Sequence, residues 1–203
     1  MFGWQDILDF WFGALDERGL PPETNRNRWF SDDRKVDQEL RRRFMSMVLL
    51  ASEQGLKHWR KEGAGAVMAE LLLLDPFPRH IHRGSALAFE HDALARSLCN
   101  EGLRKGYDMA LPPTMRAFFY LPLMHSERKA DQVVSLDCYQ QLHVSVSGML
   151  QVLIEGFLAT AQRHYQVIER FGRFPDRNRV LGRPSSQEEQ AYLQGLGGAF
   201  GVD

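Results

Sequence analysis

The chain is poor in the features that usually announce a function. Among its 203 residues there are two cysteines, Cys99 and Cys138, far apart and in no Cys-x-x-Cys pair. A disulfide framework is not what organises this fold, and two reduced, helix-borne thiols of a cytosolic chain are expected. No sign of charge dominates: 25 basic residues face 26 acidic ones, for a formal net charge of −1. No global field draws the molecule to nucleic acid or an anionic membrane, so neither is expected as a partner and any charge-based function must be local. Apolar runs such as Leu71 to Leu74 fall far short of the roughly 20 residues that span a bilayer. The first residues carry Asp6 and Asp9 and no basic stretch, which does not read as a signal peptide. A soluble cytoplasmic protein is expected. Also missing is any sustained period-two alternation with β-branched residues, which speaks against sheets.

Helical periodicity is what the sequence does have. Trp4, Ile7, Leu8 and Trp11 follow i, i+3, i+4, i+7, and Gly13 closes that helix. A polar loop with Pro21-Pro22 follows. Asp32 or Asp33 then caps a long helix with Val36, Leu40, Phe44, Met47, Val48 and Ala51 on one face and Arg41-Arg42-Arg43 on the other, ended by Gly55. From about Ala64 to Leu74 the chain is apolar nearly all round, which suits a central helix, and Asp75-Pro76-Phe77-Pro78 breaks it. Ser85 opens a helix to about Arg104, whose Ala86, Ala88, Ala93 and Ala95 permit close approach of a neighbour. Pro112-Pro113 opens a short aromatic helix that Pro122 disrupts, and after the junction His125-Ser126-Glu127 another helix runs to about His143. The clearest stripe is Leu150, Leu153, Ile154, Phe157, Ala161, His164, Ile168 and Phe171, stopped by Gly172. An arginine-rich elbow from Arg173 to Arg183 leads to a last helix with a capping box at Ser185 and Glu188 or at Ser186 and Glu189. Seven or eight helices with short connections predict an all-α antiparallel array in one domain over residues 1–195, with residues 196–203 a flexible, glycine-rich tail.

Two corners echo each other. Phe77-Pro78-Arg79-His80 leads through Arg83-Gly84 to Ser85, and Phe174-Pro175-Asp176-Arg177-Asn178 leads through Gly182-Arg183 to Ser185. They are either related structural corners or two ordinary helix terminators. The same stretches carry a family resemblance. Leu74-Asp75-Pro76-Phe77-Pro78-Arg79 with Arg83-Gly84, Leu121-Pro122-Leu123-Met124-His125-Ser126-Glu127, and Arg170-Phe171-Gly172-Arg173-Phe174-Pro175-Asp176-Arg177-Asn178 with Leu181-Gly182-Arg183 resemble three motifs of one bacterial family, catalogued as domain of unknown function 924. Ile7-Leu8-Asp9-Phe10-Trp11-Phe12-Gly13 also matches. The resemblance covers nearly the whole chain in order. It implies an all-helical fold similar to tetratricopeptide-like right-handed superhelices. It implies no established reaction, so it supplies no catalytic residue and no cofactor. The chain departs from the family pattern at Pro76, where glutamine is usual, at His80, where asparagine is usual, and at Asp176, where histidine is usual.

Three constellations could carry chemistry. Arg79 and Arg83 in one elbow, with Arg173, Arg177, Asn178 and Arg183 in the other, would make an anion pocket if the elbows converge, because guanidinium forks bind carboxylate or phosphate bidentately. The alternative is that these arginines tie helix ends together through orphan carbonyls and acids such as Asp75. His125 and His164 are candidates for proton transfer, with Glu127 or Asp75 to orient them; a histidine on an apolar face is also a common hydrogen-bonded core residue. His80 and His82, near His91, Asp75 and Glu90, could ligate zinc, but no HExxH exists and no metal is assigned. Two functions follow as expectations: binding of a small anionic metabolite with or without acid–base chemistry, or a tetratricopeptide-like module that holds a peptide or protein.

Overall fold

The computed structural model describes residues 2–195; the expected flexible tail, 196–203, lies outside them. Every regular element among the described residues is helical. In chain order these are α1 (Trp4–Trp11), α2 (Glu23–Trp29), α3 (Arg34–Ser52), α4 (Ala64–Leu74), α5 (Pro76–Ile81), α6 (Asp92–Arg104), α7 (Pro113–Phe119), α8 (Leu121–Met124), α9 (Lys129–Val144), α10 (Gly148–Phe171) and α11 (Gln187–Gly195). Short 3-10 turns lie at Lys57–Lys61, Ala86–Phe89, Asp108–Ala110 and Pro175–Arg177.

The array has more pieces than the periodicity predicts, and prolines make most of the difference. Pro76 stands at the first position of α5, where a helix has no use for the missing N–H, so the break after α4 is a single residue, Asp75. Pro122 lies in the first turn of α8 in the same way. The stretch expected as a loop after Pro22 is α2. Its side chains cap the end of α1: Asn25 Nδ2 and an Arg28 guanidinium nitrogen donate to the Phe10 carbonyl, and Trp29 Nε1 donates to that of Trp11 at 2.9 Å. Tertiary hydrogen bonds hold this helix, which is why it lacks a periodic apolar stripe. The helix expected from Ser85 is divided: Ser85 caps a 3-10 turn, and α6 begins at Asp92. Of the four alanines expected inward there, Ala88 and Ala95 are buried, while Ala86 and Ala93 are exposed. The left-handed residue after α3 is Gln54, with φ 61°, and not Gly55.

α4 lies at the centre, packed on α1, α3, α6 and α7, and every residue from Ala66 to Leu74 is buried. That includes Glu70, whose carboxylate is held bidentately by Arg60 at 2.6 and 2.9 Å. α9 and α10 form the most extensive pair, joined by a three-residue connection, so they run antiparallel. α10 ends at Gly172, whose φ of 69° is the left-handed cap that a side chain disfavours. The second of the two possible capping boxes forms: Ser186 N–H donates to Glu189 at 2.7 Å, and Glu189 N–H to Ser186 Oγ at 3.1 Å. Among the described residues no helix is long and apolar enough to cross a membrane.

Candidate functional site

The C-terminal end of α8 is fixed from two sides. Gln132 on α9 donates to the carbonyls of Met124 and Ser126 at 2.6 and 2.7 Å, and His164 on α10 places Nδ1 3.1 Å from the Met124 carbonyl. The turn so held carries His125. Its Nδ1 is 2.8 and 3.0 Å from the two oxygens of Asp75, the break residue between α4 and α5. Asp75 is fully buried and His125 nearly so. Burial pushes the Asp75 carboxyl up; the Arg79 charge, with His125 and Arg177, outweighs this and holds it below the usual carboxylate value. Arg79 lies one turn along α5, with Nη1 3.3 Å from Asp75. Because the partners of both Nδ1 atoms are acceptors, Nδ1 carries a proton in His125 and in His164. The two rings stand 6.2 Å apart, centre to centre.

The two echoing corners do converge. Arg79 reaches the two oxygens of Asp92 at 2.9 and 3.1 Å, and Arg177 Nη1 comes within 3.6 Å of the same carboxylate while donating to the His125 carbonyl at 3.0 Å. Phe89 lies under both guanidinium groups, at 5.4 and 4.7 Å, and Phe174 covers Arg177 at 4.3 Å. The anion between the elbows is thus the protein's own Asp92.

The rest of the second elbow is engaged with itself. Arg183 holds Glu127 bidentately at 2.7 and 2.9 Å, and Glu127 also accepts the Phe174 N–H. Arg173 grips Glu189 at 2.7 and 2.9 Å, and Asn178 bonds Ser185 and Arg183. Burial raises the Glu127 carboxyl, but Arg183 and the Phe174 N–H pull it below its ordinary value. Glu127, Arg173, Arg177, Asn178 and Arg183 do not line the cavity described next; Arg79, His125 and His164 do, and Asp75 lies behind His125 without lining it.

That cavity has a volume of about 740 Å³. Trp11, Trp29, Phe118 and Phe157 give it aromatic walls, their rings in edge contact at 4.5–5.9 Å. Arg79, Arg83, His80, His125 and His164 line it as well. The indole N–H of Trp11 is buried and has no partner among the described residues. His80 and Arg83 are tied into one wall. Arg83 donates to Asp37 through Nε and Nη2 at 2.8 and 2.9 Å, and to the Ser31 carbonyl. His80 Nε2 faces the Trp29 carbonyl at 3.1 Å, and its Nδ1 lies 3.1 Å from Arg83 Nη2 and 3.0 Å from Asp37. Burial lowers the His80 imidazole below its ordinary value, against the pull of Asp37. The neutral ring donates from Nε2 and accepts from Arg83 at Nδ1, so its approach to Asp37 is bridged by that arginine. Two departures from the family pattern, Pro76 and His80, line this cavity; Asp176 is exposed elsewhere.

Sequence reasoning missed Thr160 and Arg163, which line the cavity from α10. The i, i+4 spacing of Gly156, Thr160 and His164 was the available signal. Among the described residues no group of three or more His, Cys, Asp or Glu side chains is placed to hold a metal ion.

Fold and site together define a helical protein whose partly aromatic cavity has an imidazole, His125, in its wall with a buried carboxylate, Asp75, behind it. The chain belongs to the bacterial family of proteins of unknown function DUF924, whose model matches residues 7–197. A solved structure of a protein of unknown function from Agrobacterium tumefaciens is similar to it, with 36% sequence identity over 94% of this chain and 96% of that one, and a TM-score of 0.79. No curated protein matches the chain.

Proposed function

We propose that the cavity binds a small anionic metabolite bearing a carboxylate or phosphate, and that Asp75 and His125 serve it as an acid–base pair. The observation that carries this reading is the approach of His125 Nδ1 to both oxygens of a fully buried Asp75, with His125 itself on the cavity wall. With the Nδ1 proton donated to Asp75, Nε2 is the basic nitrogen. On taking a proton it becomes an imidazolium that Asp75 stabilises, and Arg79 keeps Asp75 ionised for the purpose. Such a pair suits removal of a proton from a substrate carbon or from water, hence isomerisation or hydrolysis. Ser126 is not placed as a nucleophile, since its Oγ donates to Asp131 at 2.7 Å and it does not line the cavity. Arg79 and Arg83 are answered by Asp75, Asp92 and Asp37, so the positive charge that favours an anion in the cavity is that of Arg163, whose guanidinium donates to the Thr160 hydroxyl at 2.8 Å.

Scanning fluorimetry and calorimetry against carboxylated and phosphorylated metabolites test this. Binders should stabilise the wild type, Arg163→Ala should weaken them about tenfold (about 1.4 kcal/mol), and His125→Gln should abolish turnover of any substrate. Equal stabilisation of wild type and an Arg163→Ala/His125→Gln double variant refutes the reading. The peptide-binding module draws on fold resemblance alone. Stoichiometric capture of one protein that survives both substitutions would favour it.

A further inference from the structure

We infer that the ligand is amphipathic, with an anionic head at the imidazole end of the cavity and a narrow apolar chain lying across Gly156 of α10. The head assignment rests on the function proposed above; the chain assignment rests on α10 itself.

α10 contributes one long wall, and its chemistry changes along its length. Val152, Leu153 and Phe157 line the cavity towards the start of the helix, and Thr160, Arg163 and His164 line it further on. At 1.5 Å per residue, Val152 to His164 is a track of about 18 Å. On the facing side Phe30 lies 5.7 Å from the Phe157 ring and His125 lies 6.2 Å from His164, while Arg83 and His80, tied to the Ser31 and Trp29 carbonyls beside Phe30, have their charge and polarity engaged by Asp37 and the backbone. An elongated molecule with one apolar and one charged end matches that gradient.

Gly156 stands between the two ends. A glycine in a helix interior is a poor choice, disfavoured by roughly 1 kcal/mol against alanine. It is tolerated where a positive φ or a crowded neighbour demands it. Neither applies: Gly156 has no positive φ, and a Cβ built on it meets no heavy atom of another element within 4 Å. What lies over it is the cavity it lines. Close approach of a ligand chain to the bare backbone supplies the reason that packing does not. The rim agrees. Phe30 and Val152 both line the cavity, yet they are 70% and 59% exposed, an apolar surface that a bound chain would cover.

The test is titration calorimetry with butyrate, hexanoate, octanoate and decanoate, with octyl phosphate and decanol as controls. Each added methylene should tighten binding about fourfold until the track is filled. In Gly156→Leu the ratio of decanoate to butyrate affinity should collapse towards one, with Gly156→Ala between it and the wild type; circular dichroism checks that both variants fold. A wild-type affinity independent of chain length, or a ratio unchanged in Gly156→Leu, overturns the inference while leaving the anion site standing. Decanol binding as tightly as decanoate removes the head-group assignment and with it the proposed function. Binding of none of these compounds overturns both.

Discussion

Asp92 joins two corners that are about a hundred positions apart in the chain, and removing its carboxylate tests that junction directly. In Asp92→Ala the Arg79 guanidinium loses two contacts of 2.9 and 3.1 Å but keeps Asp75 at 3.3 Å. Arg177 loses its nearest anion and keeps the His125 carbonyl, and its Nε and Nη2 already lack partners among the described residues. Breaking a buried ion pair on one side costs about 3–5 kcal/mol. The Asp92 side chain is 25% exposed, so water offsets part of this and the lower end, about 3 kcal/mol, applies. For a chain of this size that corresponds to a fall in Tm of roughly 6–12 °C. A double-mutant cycle by urea denaturation refines the test. The coupling of Asp92 to Arg79, bidentate and close, should exceed its coupling to Arg177 at 3.6 Å. Arg177→Met in the Asp92→Ala background should recover stability, because it removes an uncompensated buried charge. A loss below about 1 kcal/mol for Asp92→Ala, or a zero coupling to both arginines, would refute the view that this carboxylate clasps the elbows.

Two further outcomes concern stability. His80 is held neutral mainly by burial, below its ordinary 6.5. The unfolded chain therefore takes up its proton first, and stability falls as pH drops from about 6.5 towards the lower folded value, by at most ~1.4 kcal/mol per pH unit. His80→Asn should flatten that slope in urea titrations between pH 5.5 and 7.5, leaving a remainder from His82, which burial also lowers; an unchanged slope would contradict a buried neutral His80. Glycines that a Cβ would not crowd should divide by backbone conformation: Gly172→Ala, at φ 69°, should lower stability by about 1–2 kcal/mol, and Gly156→Ala, in helical conformation, should raise it by about 0.5–1 kcal/mol in thermal melts of the unliganded protein. The same sign at both positions would contradict this assignment.

Much of the fold was legible because it is local. The apolar stripe of α10, the all-round apolar α4, the Asp33 cap of α3 and the glycine stops after α1 and α10 are properties of neighbouring residues. Reading Pro76 as the end of helix rather than the start of the next one concealed α5, and α2 stayed hidden because its support comes from carbonyls of α1, eighteen positions or fewer away but in another element.

The candidate site was legible only in part, and the reason is pairing. The sequence by itself determined an all-helical chain of one family, with two arginine-bearing proline corners and histidines at a helix end and on an inner face. It could not say which charge answers which. Glu127 and Asp75 were equal candidates to orient a histidine; tertiary structure gave Asp75 to His125 and Glu127 to Arg183. It filled the space between the elbows with Asp92, and it placed Arg173 and Arg183 away from the cavity while bringing Arg163 and Gly156 to it. Helix formation is decided within a few residues by backbone and side-chain preferences. The partner of a buried charge is decided by whichever opposite charge the packing of distant helices delivers within about 3 Å, and no spacing along the chain encodes that.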